Sequence, residues 1–334
     1  RYDLGEAAVY GGKNVLVVRA DATGSEGWWY EGGGIYRHVR LHKAENLHVA
    51  PWGVFVTARP NQELSPSSAT LRVETRVDNR SLSDQRFRLV SEVMDPSGQI
   101  VQTLSSDVKV SKSSQGAFAQ TGRLDRPSLW DTETPSLYRL FTRLEVAGKT
   151  LDRVETTFGV RSIRFDAKEG FFLNGRSVKI KGTCNHQDFA GIGIALGDRL
   201  HAYRVGLLKS MGSNAYRCSH HPMASELLDE CDRQGMLVMD ENRRLGDTED
   251  VLAQTRDMVL RDRNHPSVFI WSLCNEESLQ GTPEGAKRGK AMKKVILELD
   301  KTRLVTAAMN GGYGAGLTDV VDLLGFNYHD AEYE

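Results

Sequence analysis

Residues Arg261 to Ser278 read RDRNHPSVFIWSLCNEES. The centre of this stretch, VFIWSL (Val268 to Leu273), is an apolar run of strand length, the pattern of a parallel strand buried on both faces. Where the strand ends, Asn275 is followed by two carboxylates, Glu276 and Glu277. An acid at such a strand end is either an exposed loop residue or a group whose proton affinity is raised for general acid work. Position alone leaves both readings open.

Working outward, the same grammar repeats. VKIKGT (Val178 to Thr183) predicts a strand, and Asp198 to Met211 a helix with Leu200, Tyr203, Leu207, Leu208 and Met211 on one face, stopped by Gly212. SNAYRCS, MLVMD, RLVTAA and VVDLLGFNY read as further strands. Helices are expected after Pro222 (Ala224, Leu227, Leu228, Cys231, closed by Gly235), through Val251, Leu252, Thr255 and Val259, and ending near Leu299. Repeated strand-helix units imply a parallel sheet. The first unit, GTCNHQD, has no phosphate-cradling glycines, which favours a (β/α)8 barrel over a dinucleotide fold. Polar residues gather at nearly every strand end, the face where barrels build active sites. Six strands in residues 167–334 fall short of eight, so the chain reads as an internal piece, short at both ends.

Upstream the period changes to two. LRVETRV sets Leu71, Val73, Thr75 and Val77 on one face, and FRLVSEVMD, SLYRLFTRLEV and RVETTFGVRSI continue the series, with turns at Asp95 to Gly98 and at Ala147 and Gly148. This predicts an immunoglobulin-like β-sandwich over residues 61–166. Before it, NVLVVRAD and IYRHVRLHKA read as short strands of another all-β domain, residues 1–60. The expected fold is thus multidomain: all-β sandwich domains followed by a partial TIM barrel over 167–334.

The 334 residues carry 43 Lys plus Arg against 44 Asp plus Glu. That balance excludes a polybasic nucleic-acid binder, and no apolar run reaches the roughly 20 residues of a membrane helix. The four cysteines, Cys184, Cys218, Cys231 and Cys274, have no zinc-ligand spacing and read as buried small hydrophobes. His220 and His221, being adjacent, do not make a metal pair.

RDRNHPSVFIWSLCNEE resembles the acid/base signature of glycoside hydrolase family 2, the family of β-galactosidases, β-glucuronidases and β-mannosidases. NAYRCSHHP, GTCNHQD and MLVMDEN are similar to its other barrel-strand motifs, WYEGGGIYRHVRL to the end of its jelly roll, and LWDTETPSLYRL with FGVRSI to its immunoglobulin-like domain. The matches run through nearly the whole chain in the family's order, and RDRNHPSV, WSL and RCSH look most like β-galactosidases.

The resemblance implies a retaining exo-glycosidase that uses two carboxylates about 5 to 5.5 Å apart. It makes Glu276 the general acid/base and Asn275 a contact to the sugar 2-hydroxyl. His186 and Asp188 would meet sugar hydroxyls. Arg217 and His220 would position the nucleophile and the sugar, with a buried ion pair as the other reading of Arg217. Glu241 is placed near the acid/base among the substrate-binding residues. Tyr328 matches a tyrosine that bonds the nucleophile, or else is a core aromatic. The nucleophile itself belongs to a seventh strand, expected beyond Glu334, and Asp330, Glu332 and Glu334 read as loop residues. Glu277 is assigned to the rim.

No cofactor is expected. Some β-galactosidases hold magnesium with an acid and a histidine after the third strand, but here Leu245 and Asp247 stand at those places. Trp28 and Trp29 read as packing or as a sugar-stacking pair. The substrate expected is a terminal β-D-galactoside, the alternatives being a β-glucuronide or a non-catalytic carbohydrate-binding fragment. The resemblance also allows a homo-oligomer, and a metal-dependent amidohydrolase is excluded for want of His-x-His after the first strand.

Overall fold

The structure, a computed structural model, describes residues 2–21, 23 and 34–329. Trp28, Trp29, Asp330, Glu332 and Glu334 lie outside the described residues. Two compact units separate: Arg1–Arg40 with Asp188–Leu196, and Leu41–Gln187 with Gly197–Glu334.

In the first unit the stretches expected as strands form none among the described residues. A strand needs a partner ladder, and Val15 and Val17 stand largely exposed. Local hydrogen bonding shapes the segment instead: the Asn14 side chain accepts from the Val9 amide at 2.8 Å and donates to the Val9 carbonyl at 2.9 Å.

The second unit opens with a seven-strand sandwich. Its strands are β1 (Leu47–Pro60), β2 (Ser68–Asn79), β3 (Gln85–Met94), β4 (Ile100–Val110), β5 (Ser114–Asp125), β6 (Tyr138–Val146) and β7 (Lys149–Phe158). They pair antiparallel in two sheets, β1-β2-β5 and β4-β3-β6-β7. Leu71, Val73, Thr75 and Val77 all face the core, as their alternation requires. Beta1 shifts the expected boundary. The sequence pattern assigns residues up to 60 to the upstream domain, yet Val54 to Pro60 pair with Thr75 to Ala69 of β2, so the sandwich begins by Leu47.

A hairpin sheet follows, made of β8 (Ile163–Asp166), β9 (Gly170–Leu173) and β10 (Arg176–Ser177). Phe165 and Phe171 pack on Phe269, with ring centroids 6.1 and 5.3 Å from it. Since Phe269 is near the start of its strand, the hairpin covers the N-terminal end of the barrel sheet.

That sheet is parallel and ordered as in sequence: β11 (Gly182–Asn185), β12 (Ala215–Cys218), β13 (Leu237–Glu241), β14 (Val268–Asn275), β15 (Leu304–Met309) and β16 (Leu323–Phe326). Helices α1 (Asp198–Ser210), α2 (Ser225–Gln234), α3 (Glu249–Asp262) and α4 (Pro283–Leu299) alternate with the strands. Every residue of β14 is buried. Two local expectations differ. The first strand starts at Gly182, because the Asn214 side chain donates to the Lys179 carbonyl and accepts from the Lys181 amide, taking the place of a ladder. Helix α1 buries His201, Val205 and Leu208, while Tyr203, Leu207 and Met211 are exposed. Apolar residues surround this helix, so their spacing does not single out the inner face.

The sandwich and the barrel meet at Arg263 to Pro266. Asn264 donates to the Val54 carbonyl at 2.8 Å and accepts from the Val56 amide at 2.9 Å, standing in for a neighbouring residue along the edge strand β1. The Arg263 guanidinium lies 4.5 Å from the Phe55 ring centre. Gly159 packs so closely on Pro266 that an added Cβ would lie 2.7 Å from it. His265 bonds Asp232 of α2 through Nδ1 at 2.6 Å.

Candidate active site

The strand register decides which side chains meet at the C-terminal end of the sheet. Arg217 pairs with Met239, Glu241 with Ser272, and Asn275 with Ala308. Ser272 therefore stands directly across from Glu241, and its hydroxyl donates to Glu241 Oε2 at 2.9 Å. Arg217 reaches the same carboxylate from the other side, with Nε 3.0 Å from Oε2 and Nη2 3.1 Å from Oε1. His220 Nδ1 is 2.8 Å from Oε1. Arg217 Nη2 also donates to Asn275 Oδ1 at 2.7 Å, and Nη1 to Cys184 Sγ at 3.5 Å. Burial alone would weaken the Arg217 charge, but the Glu241 carboxylate outweighs it and raises the guanidinium above its ordinary range. The His186 ring stands edge-on to His220, with centroids 5.2 Å apart.

Glu276 follows β14 in a left-handed backbone conformation, φ +49°, that costs a non-glycine residue about 1 kcal/mol or more. Its amide donates to the Ala308 carbonyl at 2.8 Å. Asn327, just after β16, donates Nδ2 to Glu276 Oε1 at 2.5 Å. Tyr328, also left-handed and largely exposed, bonds the same carboxylate. That bond and the negative charge of Glu276 raise the phenol above its usual range.

Of the residues singled out in the sequence, His186, Arg217, His220, Glu241 and Asn275 form one network, and Glu276 and Tyr328 pair beside it. Asp188 belongs to the other compact unit. The expectation for Glu241 as a substrate contact is corrected: it has no exposed surface, and four donors occupy its oxygens. Tyr328 is no core aromatic, since it is 80% exposed. Cys184 departs from the buried role expected of the cysteines, being exposed, while Cys218, Cys231 and Cys274 are buried. Glu277 accepts from the Leu245 amide at 3.2 Å and so ties the loop after β13 to the loop after β14.

Ser272 and Asn327 are additions that sequence reading passed over as site residues. A polar residue inside the apolar run VFIWSL was the available signal for Ser272.

Of the two positions compared with magnesium ligands, Leu245 offers no donor atom. Leu245 is a buried apolar side chain, and Asp247 pairs with Lys287 at 3.1 Å, which holds its carboxyl below the usual range. Asp229, Asp232 and His265 are the cluster with metal-like spacing among the described residues, placed on α2 and just before β14 rather than at the strand ends that hold this network. There the short Asp232–His265 bond holds a proton in the ligand position. No described helix is long and apolar enough to cross a membrane.

Comparison with known proteins gives a consistent result. The profile for glycosyl hydrolases family 2 matches residues 52–161, and that for the TIM barrel domain of the same family matches 166–249 and 246–333. The beta-galactosidase BoGH2A of Bacteroides ovatus is 35% identical over 378 residues, covering 99% of this chain and 44% of that protein. A beta-glucuronidase of Bacteroides fragilis is 28% identical, over 99% of this chain and 50% of its own. Among solved structures, a glycosyl hydrolase family 2 member from Bacteroides cellulosilyticus superposes with a TM-score of 0.86 at 32% identity, over 92% of this chain and 41% of that one. Bacteroides uniformis beta-glucuronidase 2, covalently bound to cyclophellitol-6-carboxylate aziridine, gives 0.76 at 30% identity, over 85% and 37%. The chain thus spans half or less of the length of each of these proteins.

Proposed function

The chain belongs to glycosyl hydrolases family 2, and from that premise we propose that the protein it comes from is a retaining exo-glycosidase with Glu276 as its general acid/base. The observation that carries this reading is the setting of Glu276. It stands at the mouth end of the parallel sheet, directly after Asn275, with its carboxylate gripped by Asn327 and Tyr328. In the first step Glu276 gives its proton to the glycosidic oxygen as the bond to the anomeric carbon breaks. A second carboxylate, assigned to a part of the protein beyond Glu334, forms the glycosyl-enzyme. Glu276 then takes a proton from the water that attacks this intermediate. Asn275 and His186 are assigned to the sugar hydroxyls.

For the substrate we favour a terminal β-D-galactoside. In the network at the strand ends the fixed cation is Arg217, and its charge is already matched by Glu241 at 2.9 Å. The carboxylate of a glucuronide placed here would need another cation, and an unpaired buried charge costs several kcal/mol.

The test is a pair of measurements on the full-length protein. Glu276→Gln should slow poor leaving groups far more than activated aryl glycosides, because only the former need protonation in the transition state. An equal loss for both leaving groups removes Glu276 from the role. Matched aryl β-galactoside and β-glucuronide substrates settle the sugar, and a kcat/KM ratio favouring the glucuronide overturns that part alone.

A further inference from the structure

We propose that Glu241 is a positioning residue that fixes, through Arg217, which way round the Asn275 amide is held, and thereby sets how strongly the 2-hydroxyl of the sugar contributes to the rate. The proposal rests on the glycosidase reading of Asn275 given above.

Three observations lead to it. The Glu241 side chain has no exposed surface, so it is closed to a ligand. Its two oxygens receive four hydrogen bonds, from Arg217 Nε, Arg217 Nη2, His220 and Ser272, at 2.8 to 3.1 Å. A carboxylate has about four acceptor positions, so this one is saturated. Finally, Arg217 Nη2 is shared between Glu241 Oε1 and Asn275 Oδ1.

The chemistry of the relay follows from which groups can donate. A guanidinium only donates, so the Asn275 atom that faces Arg217 must be its oxygen. The Asn275 NH2 is then directed away from Arg217, available as a donor to a hydroxyl. Without Glu241, the buried guanidinium loses the fork that sets its plane, and the Asn275 amide loses the fixed partner that selects its orientation. His220 is oriented by the same carboxylate. Its Nδ1 lies nearer to Glu241 Oε1 at 2.8 Å than to Arg217 Nη2 at 3.3 Å, so the Nδ1 proton is directed at the carboxylate. Glu241 touches neither sugar nor reacting atoms, and its influence passes entirely through its neighbours.

A readout that ordinary structural damage does not move is the penalty for deleting the 2-hydroxyl. It is the kcat/KM for an aryl β-glycoside divided by that for its 2-deoxy analogue, taken on whichever of the β-galactoside and β-glucuronide is the better substrate. A general loss of active sites lowers both terms equally and leaves the ratio unchanged.

In the full-length protein, Glu241→Gln keeps the side-chain shape but replaces an acceptor oxygen by an NH2 that faces donors. The 2-deoxy penalty should then shrink about tenfold or more. A folded Glu241→Gln protein whose penalty stays within about twofold of the parent overturns the proposal. If Glu241→Gln does not fold, Ser272→Ala carries the test, since it removes a single donor from Oε2 and leaves both charges in place. It should reduce the penalty about threefold, and an unchanged ratio there overturns the proposal equally. A parent protein that hydrolyses both substrates at the same rate removes the assigned role of Asn275 and the relay with it. Failure of Glu276 as acid/base is seen separately, in the leaving-group dependence of Glu276→Gln.

Discussion

His265 and Asp232 form a titrating clamp between the start of β14 and helix α2, and its effect on stability can be worked out from the structure. His265 Nδ1 lies 2.6 Å from Asp232 Oδ2, and the two side chains are 13% and 3% exposed. Burial by itself disfavours the imidazolium, but the charge of Asp232 and its hydrogen bond outweigh it, raising His265 from 6.5 to about 9. A group whose folded affinity for protons exceeds its unfolded one stabilises the fold below the unfolded value, and that contribution is lost as pH rises through the folded value. Here the contribution is full below about pH 6.5, falls by about 1.4 kcal/mol per pH unit and is gone above about pH 9, a total of about 3 kcal/mol. Urea unfolding of the full-length protein and of His265→Gln at about pH 6, 7.5 and 9.5 measures it directly. The gap in stability between parent and variant should narrow by about 3 kcal/mol from the lowest pH to the highest. A gap that stays constant across that range refutes the charged clamp.

Two more outcomes can be checked. Asn264→Ala leaves the Val56 amide and the Val54 carbonyl without their side-chain partner and should lower stability by about 2 to 3 kcal/mol, read as a lower denaturation midpoint with an unchanged denaturant slope. Tyr328 is held above its ordinary ionisation range by Glu276, so Glu276→Gln should bring its phenol down. Ultraviolet difference titration against Tyr328→Phe would isolate that one tyrosine, and an unmoved midpoint would break the assigned contact.

Much of this arrangement is legible in the sequence because the physics is local. An apolar run such as VFIWSL has to be buried on both faces, and Gly235 ends α2 at φ +70°, where a Cβ would lie 2.6 Å from the Thr132 carbonyl. Glu276 and the strand-end cluster were found from motif resemblance together with the rule that barrel sites form at the C-terminal ends of strands. What escaped depends on long-range geometry. Whether Glu241 faces a ligand or is enclosed by its neighbours depends on Arg217, His220 and Ser272, from two other strands and a loop. The inner face of α1 escapes the pattern because the helix buries the polar His201 with Val205 and Leu208, while the apolar Tyr203, Leu207 and Met211 face outward. The boundary at residue 60 was misplaced because the pairing of β1 with β2 joins residues across a polar turn that resembled a linker. Asn264, embedded in the stretch that signalled catalysis, serves the module junction.

The position of Asn264 bears on how the protein comes apart. The strand that delivers Glu276 begins four residues after a side chain that completes the edge of the sandwich, and Arg263 and His265 on either side of it are anchored to Phe55 and Asp232. Opening of the sandwich edge therefore withdraws support from the base of β14, and opening of β14 uncovers the sandwich edge. The two modules should therefore open as one cooperative unit, with the amides of β1 and β14 exchanging through a common opening in native-state hydrogen exchange. Durability of the strand end that carries Glu276 is thereby governed partly from the sandwich at the opposite end of β14.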